Sequence, residues 1–91
     1  MGHEDLYAAY RIADRFITVQ DSSEGGWDWS IFDENRKLLD GGVYDGGPDT
    51  ATEMFGDILE DIMDDDRLCG SITENSVPER IDYWDFIDEI G

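Results

Sequence analysis

Basic residues are scarce in this chain. Six lysines and arginines stand against twenty-four aspartates and glutamates, and the formal net charge is −18. Such a field repels phosphate and disfavours direct binding to nucleic acid or to an anionic membrane, while it favours a basic protein partner, a cation or plain solubility through a solvated acidic surface. Cysteine is limited to Cys69. A lone cysteine can form neither an internal disulfide nor a thiolate zinc site, and it suits a reducing cytoplasm. The only histidine is His3, near the start of the sequence. A Ser-His or Cys-His nucleophile system is therefore not credible. No apolar run approaches the roughly 18 residues of a membrane span. The start lacks the basic and apolar segments of a signal peptide, and Leu6 stands where a myristoylation motif needs Ser or Thr.

Phosphate-binding motifs are missing as well. The glycines come as pairs, at 25–26, 41–42 and 46–47, with no Walker A or GxGxxG spacing and no lysine placed to meet a phosphate. The triplet Asp64-Asp65-Asp66 precedes a glycine-containing loop, but calcium-loop spacing fails. Counted from Asp64, position 5 is Leu68, position 6 is Cys69 and position 12 is Asn75. Carboxylate pairs abound, yet 91 residues form a single small domain, 1–91, with little room for a sugar-binding cleft. The expectation is a protein that is not an enzyme, with no catalytic, cofactor-binding or metal-binding residues.

What is present is a globular core. Hydrophobic residues make up 40% and aromatics 12%, too much for a disordered acidic tail. Residues 4–13, EDLYAAYRIA, predict a short N-terminal helix with Leu6, Tyr10 and Ala13 on one face, though Tyr10 and Ile12 also fit the start of a first strand. Three strands follow, at 15–20, 27–33 and 37–44, separated by turn-forming segments. They predict an antiparallel meander. Its core face is expected to carry Ile17, Val19, Trp27, Trp29, Ile31, Leu39 and Val43, leaving Phe16, Phe32 and Tyr44 on the other. In the turn 33–36, Asn35 is the residue expected at positive φ, and Gly41-Gly42 suggests a bulge or sharp twist.

Asp49 or Thr50 caps the next helix, 50–65, and Thr50 with Glu53 fits a capping box. Met54, Phe55, Ile58, Leu59, Ile62 and Met63 form its apolar stripe. Its C-terminal aspartates oppose the helix dipole and predict fraying. Residues 67–76 read as a loop with room for one short strand. Ser76, Pro78 and Glu79 then read as the N-cap, N1 proline and capping glutamate of a last helix, 78–90. The predicted fold is α+β, with helix 50–65 across one face of the meander and the C-terminal helix beside it.

The candidate partner surface lies on these helices. Asp57, Glu60, Asp61 and Asp64 line the outer face of the first, and Asp82 and Asp85 that of the second. Carboxylates three or four residues apart on a helix lie about 5–6 Å apart, a spacing comparable to phosphates along a nucleic-acid strand. Tyr83, Trp84 and Phe86, with Phe16, Phe32 and Tyr44, are a surplus of aromatics that a protein partner or a homodimer would bury.

The runs Tyr10–Gln20 (YRIADRFITVQ), Trp27–Asp33 (WDWSIFD) and Lys37–Asp45 (KLLDGGVYD) resemble a group of small acidic proteins. These occur in gut Clostridia-type bacteria, often on conjugative or integrative elements and sometimes as modules of large polyvalent proteins. The resemblance covers residues 10–65. It implies a bacterial, cytoplasmic accessory protein of uncharacterised function and transfers no site residue. In size, charge and α/β make-up the chain is also similar to phage and plasmid DNA mimics and to anti-restriction or anti-CRISPR proteins. The leading expectation is a non-enzymatic, acidic protein-interaction module of a mobile element. The alternative is a DNA-mimic inhibitor of a basic DNA-binding protein.

Overall fold

A computed structural model describes residues 6–22, 25–45 and 50–90. The chain runs β1 (Tyr7–Ile12), β2 (Arg15–Asp21), β3 (Trp27–Phe32), β4 (Leu38–Tyr44), α1 (Ala51–Met63), α2 (Asp66–Cys69), β5 (Glu79–Ile81) and α3 (Tyr83–Ile90). The strands form one antiparallel sheet in the order β4-β3-β2-β1-β5. The fold is α+β as expected, and the three predicted strands form next to one another. They are part of a larger sheet, however, because two further strands extend it beyond β2.

The first of these is β1, where a short helix was expected and the start of a strand at Tyr10 and Ile12 was the alternative. Residues 4 and 5 of that prediction lie outside the described residues. Over 7–12 the side chains alternate: Ala8, Tyr10 and Ile12 enter one core, while Ala9 enters the other. Period-two burial on both faces outweighs the helical propensity of Ala-Ala. A two-residue connection, Ala13-Asp14, closes the β1–β2 hairpin, with Ile12 opposite Arg15 and Ala13 at φ 54°. The second addition is β5, in a segment expected to begin the last helix. It pairs residues 79–81 with Ala9–Arg11, so β1 gains a second ladder partner. The last helix then starts at Tyr83. Its cap is Asp82, whose Oδ1 accepts the Asp85 N–H at 3.0 Å, whereas Ser76 closes a separate turn by accepting the Thr73 N–H at 2.9 Å.

The two long helices lie on opposite faces of the sheet, which corrects their expected side-by-side placement. Ile17, Val19, Trp27 and Ile31 pack with Met54, Phe55, Ile58 and Ile62 of α1. On the other face Ala9, Phe16 and Phe32 pack with Phe86 of α3. Phe16 and Phe32 were expected outside the main core; they are buried there by α3, and Tyr44 is half-buried against the α1 side. The sheet is therefore apolar on both sides where a helix covers it.

β4 is one residue out of the expected phase. Ile31 pairs with Asp40 and Phe32 with Leu38, which leaves Leu39 as the extra residue of a bulge. Past it, Asp40, Gly42 and Tyr44 share the α1 side. Val43 lies on the other side, 64% exposed, and Leu39 is 37% exposed, so neither belongs to the core. A one-residue slip exchanges the faces of everything beyond it. Gly41 is required by close approach: a Cβ there would lie 2.8 Å from the Trp29 carbonyl oxygen. In the β3–β4 turn the left-handed residue is Arg36, at φ 65°, rather than Asn35. The Asp33 carboxylate accepts the N–H groups of Asn35 and Lys37 and sets this geometry.

Thr50 caps α1, accepting the Glu53 N–H at 3.2 Å, and its hydroxyl in turn donates to Glu53 Oε1 at 3.2 Å. Asp49, the alternative cap, lies outside the described residues. The helix stops at Met63, and the acidic triplet does not merely fray. Asp65 caps α2 and Asp66 sits in its first turn, where negative charge meets the positive end of a helix. Arg15 ties this region to the β1–β2 turn. Its Nε donates to the Leu68 carbonyl at 2.8 Å, and Asp14 Oδ1 accepts the Ser71 N–H at 3.0 Å. That hydrogen bond, reinforced by the Arg15 charge, holds the Asp14 carboxyl below its ordinary value against the opposing effect of burial.

Candidate interaction surface

The outer face of α1 carries the acidic row intact. Glu60, Asp61 and Asp64 are exposed and Asp57 is half-buried. The described ion pairs join Asp14, Asp65 and Glu89 to arginines, and none of them engages Asp57, Glu60, Asp61 or Asp64. With these carboxylates a turn or less apart, their field is uncompensated at the surface.

α3 differs. Its acids border a cavity of about 300 Å³ that is also lined by Arg11 and Arg36. Arg36 Nε lies 2.8 Å from Glu89 Oε1. The Arg36 guanidinium sits 4.9 Å from the centre of the Phe16 ring, and that of Arg11 5.9 Å from it. Two of the chain's six cations thus lie against one aromatic ring and line the same cavity as Asp82 and Asp85. Asp82 is committed to capping α3. The two helical rows, alike in sequence, differ electrostatically because the β1 and β3–β4 arginines fold against only one of them. No spacing rule shows this, since Arg11 and Arg36 come from distant parts of the chain.

The three aromatics expected at the surface also separate. Phe86 is 3% exposed, at the centre of the α3-side core and 5.0 Å from the Phe16 ring centroid; it is unavailable to a partner. Tyr83 is half-buried, and its hydroxyl donates to Gln20 Oε1 at 2.6 Å. Burial raises its phenol above the ordinary value, with the Asp28 and Tyr7 charges acting in the same direction. Trp84 is 60% exposed. It stands at the edge of a small cluster in which the Tyr7 ring lies 5.2 Å and the Tyr83 ring 5.0 Å away. With Phe16, Phe32 and Phe86 internal and Tyr44 and Tyr83 half-buried, the aromatic surplus that pointed to a protein partner or a homodimer shrinks to Trp84.

A second hollow, about 480 Å³, opens at the far end of β2, β3 and β4 and is lined by Asp21, Asp28, Asp45 and Val43 among others. Among the described residues no set of three or more His, Cys, Asp or Glu side chains is arranged to hold a metal ion. No described helix is long and apolar enough to cross a membrane.

α1 also presents apolar surface beside the acidic row. Leu59 and Met63, expected as core, are only half-buried, and they widen the helix's apolar arc on one side. The signal was present in the doubled spacing at 54/55, 58/59 and 62/63, which is broader than one covered face needs.

Nothing matches the chain among curated proteins, and no solved structure matches it. One family model does, that of large polyvalent protein-associated domain 16, and it matches residues 3–89, well beyond the 10–65 over which the strand texture is similar. That match covers nearly the whole chain, with all five strands, α1, α2 and α3 up to Glu89 included: the chain belongs to the large polyvalent protein-associated domain 16 family.

Proposed function

We propose that this domain is a non-enzymatic binding module of a bacterial mobile element, working in the cytoplasm, and that it docks a basic protein through the acidic face of α1. The observation that carries this reading is the contrast between the two helices. Among the described residues Asp57, Glu60, Asp61 and Asp64 are in none of the ion pairs, whereas the α3 acids face Arg11 and Arg36. An uncompensated row steers a basic partner and weakens with salt. The family's association with large polyvalent proteins supports a modular role. A DNA mimic would draw on acidic rows along both helices. With the α3 row partly neutralised, the remaining row, Asp57 to Asp64, spans roughly 10 Å along the helix axis, which favours a compact protein contact.

The test is capture of partners from a bacterial host lysate at two salt concentrations. It compares the wild-type chain with Asp57→Asn/Glu60→Gln/Asp61→Asn and with a charge-matched control on β5 and α3, Glu79→Gln/Asp85→Asn/Asp88→Asn. Capture of a basic protein should be lost in the α1 variant and at high salt, and kept in the control. Capture that survives both and disappears in Trp84→Ala would place the contact on the aromatic cluster and overturn the reading.

A further inference from the structure

Resting on that reading, we propose that a groove beside the acidic row is an anchor pocket for one apolar side chain of a lysine- or arginine-rich partner segment. The starting point is Gly56. It lies in the interior of α1, where glycine is the least favourable residue after proline. Nothing inside the fold requires it: a Cβ at this position would meet no atom within 4 Å. The open space is one end of a groove of about 320 Å³, with Ile12 and Ile72 beneath, Leu59 and Met63 along the side, and Glu60 and Glu74 at the rim. Its volume is at the small end of the roughly 300–1,000 Å³ of small-molecule sites, suited to a side chain.

The helical spacing explains why groove and row act together. Gly56, Glu60 and Met63 follow one another at i, i+4 and i+7, and Asp57, Asp61 and Asp64 form the adjacent row. Ile12 and Ile72 are buried within the main core, so the groove floor is set by packing. Among the described residues no lysine or arginine lines it. A second copy of the chain would bring −18 against −18 and is disfavoured by self-repulsion. A cationic segment carrying a leucine, methionine or phenylalanine satisfies both the rim and the floor. Glycine at 56 then provides the room for its backbone to approach.

The experiment titrates the intact chain with two synthetic probes: a lysine-rich peptide with one central leucine, and the same peptide with serine in its place. Burying the leucine should make the first bind about tenfold more tightly. Gly56→Met fills the groove and should remove that advantage while leaving the serine peptide's salt-dependent binding unchanged. Gly56→Ala, a helix-favouring change, should melt at a higher temperature yet reduce the leucine preference. Equal binding of the two peptides to the wild-type chain, or a leucine preference that persists in Gly56→Met, overturns the anchor pocket and leaves the acidic docking face standing. Binding of neither peptide overturns both. A dimer in sedimentation that Gly56→Met dissolves would make the occupant a second copy and overturn the basic-segment proposal.

Discussion

Replacing Phe86 by alanine should nearly unfold this domain, whereas replacing its neighbour Trp84 should hardly disturb it. Phe86 is 3% exposed, and its ring centroid lies 5.0 Å from that of Phe16 and 5.1 Å from that of Phe32. Truncating a buried phenylalanine costs about 3–5 kcal/mol, the lost transfer energy together with the cavity left behind. α3 has eight residues, too few to stay helical without its packing. Ala9, Phe16 and Phe32 would then face water from below. Small domains have about 5–15 kcal/mol in total, so the loss is a large share of it. At about 4–8 °C per kcal/mol for a domain of this size, the melting temperature should fall by more than about 12 °C. Trp84 is larger but 60% exposed, and it contributes mainly its edge contacts with Tyr7 and Tyr83. Its removal should cost about 1 kcal/mol or less. Urea and thermal melts followed by far-UV circular dichroism compare the two without relying on tryptophan emission. An equal or larger loss in Trp84→Ala would mean that α3 docks by its other side and that the second core is misplaced.

Three further outcomes follow from particular residues. Ala13→Gly should raise the urea midpoint, because an L-residue at φ 54° carries strain of about 1–2 kcal/mol, of which the flexibility of glycine gives back about half; an unchanged or lower midpoint would show the turn to be unstrained. Asp14 has a carboxyl lowered from 3.8 by the Ser71 N–H. Its contribution should be complete above that value and vanish as pH falls through the lower folded one, so wild type and Asp14→Ala should differ in stability at pH 6 and converge in strong acid; a gap that persists there would refute the linkage. With a net charge of −18, sodium chloride should raise the melting temperature by screening self-repulsion, and a fall with salt would show that ion pairs outweigh it.

Much of the candidate surface was legible in the sequence. The acids of α1 occupy its outward face because the buried positions, Ala51, Met54, Phe55, Ile58 and Ile62, leave them nowhere else. The hairpin strands were legible for the same kind of reason, since Trp27 and Ile31 alternate with Asp28 and Ser30. The β1–β2 turn was not. Ala13-Asp14 lacks the glycine or asparagine that marks a positive-φ hairpin, so the first strand lost its most visible local cue. The bulge at Leu39 was likewise displaced from the glycine pair thought to signal it, and it reversed the faces assigned to Val43 and Tyr44.

The sequence alone determined the quantities that depend on each residue and its near neighbours along the chain: the sign and size of the charge, the amphipathic period of α1, the Thr50 cap and the alternation of the central strands. Tertiary structure decided whatever depends on residues distant in the chain. Residues 79–81 became a strand because β1 offered an open ladder. Phe86 became core because Phe16 and Phe32 needed cover on the second face. Arg11 and Arg36 folded against one acidic helix and left the other bare. Local periodicity can show that a face is apolar or acidic; the partner that meets it is chosen by the packing of the whole chain.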